Sequence, residues 1–225
     1  MTIDSIKMVE TTDKRWLLLI VFVLGLVVMA IFLLQNNTDQ TVGLPAILAE
    51  VAVNPQRQVT EVGLTDHQNH TVTTERFAKH WNFVYFGYTH CPDVCPATLA
   101  QLAEFKQSFL SNSPLNDKIQ FFFVSVDPAR DTIEQLATYI QYFDQSFIAM
   151  SGKPEAIGQF ESQLGAYHRF GHKSASGEYA VQHSADVYLL NPAGRLIAKF
   201  GPPINLGRML EQITGFIERY PKAVT

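Results

Sequence analysis

Hydrophobic positions change their spacing several times along the chain. From Trp16 to Leu34 they are continuous, nineteen residues without a charge or a proline. At helical rise that run is just long enough to cross the hydrocarbon core of a bilayer. The stretch from Gln35 to Gln56 is polar, then mixed, without a clear period, and reads as a tether. Val59–Leu64 and His70–Thr74 flank the turn-forming cluster Asp66-His67-Gln68-Asn69. An opening hairpin is expected there, since Asn69 tolerates a left-handed backbone. NFVYFGY at 82–88 and IQFFFVSV at 119–126 are short aromatic and branched runs suited to strands buried on both faces, and 147–150 is a third strand candidate. Helical spacing follows each strand. Leu99, Leu102, Phe105 and Phe109 recur behind Pro96, and Ile133, Leu136, Ile140 and Phe143 recur behind a Thr132/Gln135 capping box. Ile157, Phe160 and Leu164 mark a further short helix, and Gly171–Ala180 is a loop by composition. Ser184–Leu190 and Arg195–Phe200 read as a hairpin through the turn Asn191-Pro192-Ala193-Gly194. Leu206, Met209, Leu210, Ile213 and Ile217 give the apolar stripe of a closing helix.

This order predicts an α/β domain in which helices flank a central, mainly parallel sheet with a hairpin near each end, preceded by one transmembrane helix. The expected organisation is a cytoplasmic N-terminus (1–15), an anchor (16–34), a tether (35–56) and the folded domain (57–225). The apolar run exceeds the usual core of a signal peptide, and no small-x-small cleavage site follows it directly, which favours a retained anchor. Lys7, Lys14 and Arg15 precede the run and the next basic residue is Arg57, so the positive-inside rule keeps the N-terminus cytoplasmic. Asp4, Glu10 and Asp13 are unlike an acid-poor organelle leader, which points to the inner membrane of a bacterium, with the domain facing the periplasm or cell exterior.

Composition adds two constraints. A hydrophobic content of 47% is ample for a core, and a formal net charge of -4 without a basic cluster excludes a nucleic-acid binder. The two cysteines, Cys91 and Cys95, sit where the first buried strand gives way to a helix. So short a loop would stabilise a domain of this size little as a disulfide. Their chemistry is therefore the question. Four-residue spacing on a helical segment lets two sulfurs close a disulfide or share one ion, and a helix N-terminus stabilises the thiolate that does either. Two sulfurs are too few for a closed zinc site, whereas Cu(I) is satisfied by soft thiolates and imidazole suits either copper oxidation state. Of seven histidines, His67, His70, His80, His168 and His172 read as surface groups, and His90 is a weak second choice as a ligand. His183 stands at a loop-to-strand junction, where functional groups collect, though a lone histidine there is more often structural.

FGYTHCPDVCPATLAQL at 86–102, VSVDPARDT at 124–132 and VQHSADVYLLNPAGRL at 181–196 together resemble the Sco/SenC family, thioredoxin-like copper proteins of cytochrome c oxidase assembly. The resemblance runs in order over about 59–220. It implies that Cys91 and Cys95 are copper-binding and redox-active, that His183 is the third copper ligand, and that copper, as Cu(I) or Cu(II), comes from a donor protein or an extracytoplasmic pool. It further implies delivery to the binuclear copper centre of cytochrome c oxidase subunit II, or reduction of that subunit's cysteines by a thiol-disulfide oxidoreductase using the same pair. Asp127, Arg130 and Asp131 also match a family motif, and read as a turn and helix cap that shape the domain, without a part in the chemistry.

Overall fold

The computed structural model describes residues 10–35, 45–111 and 113–219, with the side chains of 16–30 in the first stretch. The chain divides into two units, Met1–Gly43 and Leu44–Thr225. In the first, helix α1 (Glu10–Gln35) carries apolar side chains that are exposed all round, from Trp16 through Met29. Among the described residues no helix is long and apolar enough to cross a membrane. The expected span at 16–34 is thus helical, with an apolar surface over 16–30, and is not a demonstrated crossing.

The second unit begins earlier than the sequence implies. Where a tether was expected, a short helix α2 (Ala46–Ala49) and an edge strand β1 (Ala52–Gln58) have formed. The part of that tether at 36–44 lies outside the described residues. The centre of the sheet is β4 (Trp81–Gly87), whose seven residues are all buried. It lies parallel to β5 (Ile119–Ser125), which lies parallel to β6 (Ile148–Ser151). Everything outside this trio is antiparallel. On one side β9 (Val187–Leu190), β10 (Arg195–Phe200) and β1 follow in turn, and on the other β2 (Leu64–Asp66) and β3 (Thr71–Val72). The expectation of a mainly parallel sheet therefore needs correcting to a mixed one. The physical reason is that hairpin strands enter at both flanks, so helical crossovers are needed only for the three central strands. The chain between β6 and β9 makes a separate two-stranded ribbon, β7 (His168–Phe170) against β8 (Val181–His183).

Local chemistry explains the element ends. Asn69 takes a left-handed φ of 66° in the opening turn, as its side chain allows, although the strands it joins are shorter than the expected 59–64 and 70–74. Thr132 and Gln135 form the reciprocal capping box at the start of α4 (Ile133–Phe143). α5 (Pro154–Leu164) begins on proline and ends at Gly165, with φ 71°. The closing hairpin is tighter than expected, because 184–186 are not strand and β9 starts at Val187. Asn191 and Gly194 make its turn, with the Gly194 N–H donating to the Asn191 carbonyl at 2.8 Å. α6 (Leu206–Arg219) buries Met209, Ile213 and Phe216.

Candidate metal centre

β4 ends at Gly87, and the chain turns through Tyr88, Thr89 and His90 to Cys91 before helix α3 (Val94–Phe105) begins. Cys91 precedes the helix and Cys95 is in its first turn. This places the Cys95 backbone N–H, one of the amides that a helix start leaves free, 3.5 Å from Cys91 Sγ as a donor. Both cysteines are free thiols. Cys91 keeps 8% of its surface at the rim, whereas Cys95 is fully buried.

The third group arrives from the last residue of β8. His183 Nε2 lies 3.3 Å from Cys95 Sγ, and its Nδ1 is 2.9 Å from the Ser184 carbonyl. A carbonyl can only accept, so Nδ1 carries the proton and Nε2 presents a lone pair to the sulfurs. Cys91, Cys95 and His183 together place one ligand atom each within 4.8 Å of the others. Ligands about 2.0–2.3 Å from a shared ion, as for thiolate and imidazole, would sit about 4 Å apart, so the set fits a single soft ion. His90 is not part of it. Its ring stands 3.1 Å from Thr89 Oγ1 and 3.5 Å from Asp131 Oδ1.

The residues read from sequence as mere scaffolding hold both arms of the centre. Buried Asp131 accepts from the Thr89 N–H at 2.9 Å, the Thr89 hydroxyl at 2.6 Å and the Ser125 hydroxyl at 2.6 Å. It thereby ties the segment entering Cys91 to the end of β5. Asp127 accepts from the Tyr179 hydroxyl at 2.8 Å and from Arg130 Nε, while the Arg130 guanidinium lies 3.7 Å above the Tyr179 ring. Tyr179 is two residues before β8, so this contact steadies the strand that brings His183. Neither role is a helix cap. Thr132 supplies that instead.

Comparison with known proteins begins with a profile match: the SCO1/SenC family covers residues 52–218. The chain belongs to this family. Its Sco relatives include the mitochondrial SCO2 homologue of Bos taurus, 33% identical over 189 residues that make up 79% of this chain and 69% of the bovine protein. The human SCO2 homologue is 33% identical over 160 residues, which are 71% of this chain and 58% of the human one. The present Sco chain therefore spans little more than half of the human relative. Among solved structures, Arabidopsis thaliana ScoI with copper bound superposes at a TM-score of 0.64, with 30% identity over 70% of this chain and 96% of that one. Bradyrhizobium japonicum ScoI with copper bound gives 0.60, with 31% identity over 75% and 99%. The mixed sheet fits the thioredoxin-like architecture that the sequence motifs imply.

In this Sco chain the two thiols are electrostatically unlike. A hydrogen bond from Cys95 holds the Cys91 thiol well below the ordinary range against the opposing effect of burial, with help from the Cys95 amide. Cys95 is pushed up by that same bond, since its proton is what stabilises the Cys91 thiolate, and by burial. The rim sulfur of Cys91 is thus the more readily ionised of the pair, and the buried Cys95 is the one that keeps its proton longer.

Gly87 leaves no room for error beside it. A Cβ there would lie 2.8 Å from Cys95 Sγ and 2.7 Å from the Phe123 ring. Both neighbours are fully buried. Gly87→Ala is therefore expected to cost about 1–3 kcal/mol in thermal unfolding, the usual range for overpacking a filled core. A midpoint unchanged from the parent would show that the sulfur can move aside freely.

Proposed function

We propose that this Sco protein binds one copper ion through Cys91 Sγ, Cys95 Sγ and His183 Nε2 and delivers it to the binuclear copper centre of cytochrome c oxidase subunit II. The observation that carries the reading is the convergence of two sulfurs and one imidazole nitrogen within 4.8 Å, a soft set matched to copper. Copper-bound relatives at 30% and 31% identity support it. Copper arrives as cargo and supplies Lewis acidity to the three ligands. The protein's own part is to give up the Cys95 proton, keep His183 in the tautomer that exposes Nε2, and shield Cys95 from water. Residues 16–34 form the anchor in a bacterial inner membrane, with the N-terminus cytoplasmic and the copper domain outside. The exposed apolar surface of α1 and the Lys7, Lys14, Arg15 cluster before it support this topology.

Titration of the reduced full chain with Cu(I) against a competing chelator tests the copper reading. One equivalent is expected to bind, and His183→Ala is expected to weaken it tenfold or more, at least about 1.4 kcal/mol. Parent-like binding by His183→Ala would sink the three-ligand centre. A second reading, a thiol-disulfide oxidoreductase acting on the oxidase subunit or another extracytoplasmic target, is favoured by the thiolate at the rim with a thiol behind it. Cys91 would attack a target disulfide and Cys95 would resolve the mixed disulfide. In that case His183→Ala keeps its reductase activity.

A further inference from the structure

The β7–β8 ribbon that ends on His183 is not part of the main sheet, and each of its strands is three residues long. A two-stranded ribbon of that size has almost no stability of its own, so its ties to the rest of the fold decide where His183 stands. At its loop end Tyr179 reaches Asp127, and the Val181 N–H donates to the Tyr88 hydroxyl at 3.4 Å. At its open end the tie is His168. This residue is the direct cross-strand partner of His183, and directly opposed residues project to the same side of an antiparallel pair. Its Nδ1 lies 2.8 Å from Oε2 of Glu161, in the last turn of α5. His168 reads from the sequence as a surface group, yet only 16% of its side chain is exposed, and only 5% of that of Glu161.

We propose that Glu161, acting through His168, is a positioning residue for His183: its hydrogen bond pins the open end of the ribbon to α5 and so keeps Nε2 at the two sulfurs. This inference rests on the copper reading above. Glu161 adds little to stability as it stands, because one oxygen meets His168 while Oε1 is buried without a hydrogen-bond partner among the described residues. Its value lies in what it holds. The Ser184 carbonyl sets the tilt of the His183 ring, and the rings of Tyr85 and Tyr88 meet it edge-on, with centroids 6.1 and 6.0 Å away. Those contacts act on the ring and leave the strand beneath it to be fixed by β7 and the residue before it. There the Tyr167 carbonyl accepts from the Ser184 N–H at 3.0 Å and the Tyr167 N–H donates to the Ser184 hydroxyl at 3.1 Å. Tyr167 and His168 form the segment that Glu161 ties to α5, and Glu161 is near enough to act on His183 electrostatically as well.

A double-mutant cycle on Cu(I) affinity in the reduced full chain tests this role. Glu161→Met keeps the length of the side chain but cannot accept the hydrogen bond, and is expected to weaken binding about tenfold, the lower end of what outer partners of a metal ligand are worth. Glu161→Gln, whose amide oxygen still accepts from Nδ1–H, is expected to recover most of that loss. In a His183→Ala background Glu161→Met is expected to have no further effect, since a residue that acts through His183 has nothing left to position. A merely structural contribution would give the same loss in both backgrounds. Where Glu161→Met fails to fold, His168→Phe reads the same loss from the other partner. Parent-like affinity for the variant that breaks the bond, an equal loss in the His183→Ala background, or a Glu161→Gln no better than Glu161→Met each overturns the Glu161 role. The copper reading survives all three provided that His183→Ala itself binds more weakly than the parent. A His183→Ala that binds as the parent does overturns both readings together.

Discussion

Cys95→Ser lowers the affinity of the reduced chain for Cu(I) by more than about 100-fold. Outer hydrogen-bond partners of a metal ligand are by themselves worth about 10–100-fold, so removal of a sulfur in direct contact is expected to exceed that range. Serine keeps the shape but replaces a soft, polarisable donor with a hard oxygen that Cu(I) does not favour. Cys95 is fully buried, so no water is at hand to take the vacant position. Competition with a chromophoric Cu(I) chelator reads the effect. Affinity within threefold of the parent would mean that Cys95 is not a ligand.

Asp131→Ala carries the largest expected loss of stability. The carboxylate satisfies the Thr89 amide and the hydroxyls of Thr89 and Ser125, all of them in or beside the core. The two hydroxyls can turn to new partners, but a backbone N–H cannot. Leaving these donors unmatched is expected to cost about 3 kcal/mol, a fall of roughly 6–12 °C in thermal midpoint for a domain of this size. Asp131→Asn, which keeps one acceptor, should fall between the parent and the alanine variant. Because the Thr89 segment leads directly to Cys91, Cu(I) affinity should also drop, although Asp131 is no ligand. A midpoint within a degree or two of the parent would show that water or a neighbour replaces the carboxylate.

Parts of this architecture could be read from the sequence because they depend on near neighbours. The apolar run of β4, the helical spacing behind Pro96 and the Thr132/Gln135 box are local patterns, and each is found where its residues place it. The two cysteines stand out as a pair without a stabilising purpose, but His183 needed the three-motif resemblance, because a single histidine at a strand end has no local signature. What escaped the sequence depends on contacts between distant segments. Asp131 meets Thr89 across 42 positions and Asp127 meets Tyr179 across 52, so neither partner can be chosen by spacing. β1 was missed because AVNPQRQ alternates weakly, contains proline and is half exposed, as an edge strand can be.

The turn from Ser125 to Asp131 reaches both arms of the centre, the cysteine side through Asp131 and the histidine side through Asp127 and Arg130. This bears on any attempt to move the centre elsewhere. A sheet of the same topology that received only two cysteines and a histidine would carry the donors without the footing that holds them to one another. Transplantation would have to include this seven-residue segment, with Thr89 and Tyr179 as its attachment points. The smallest portable unit of the centre is therefore a junction of three chain segments rather than three side chains.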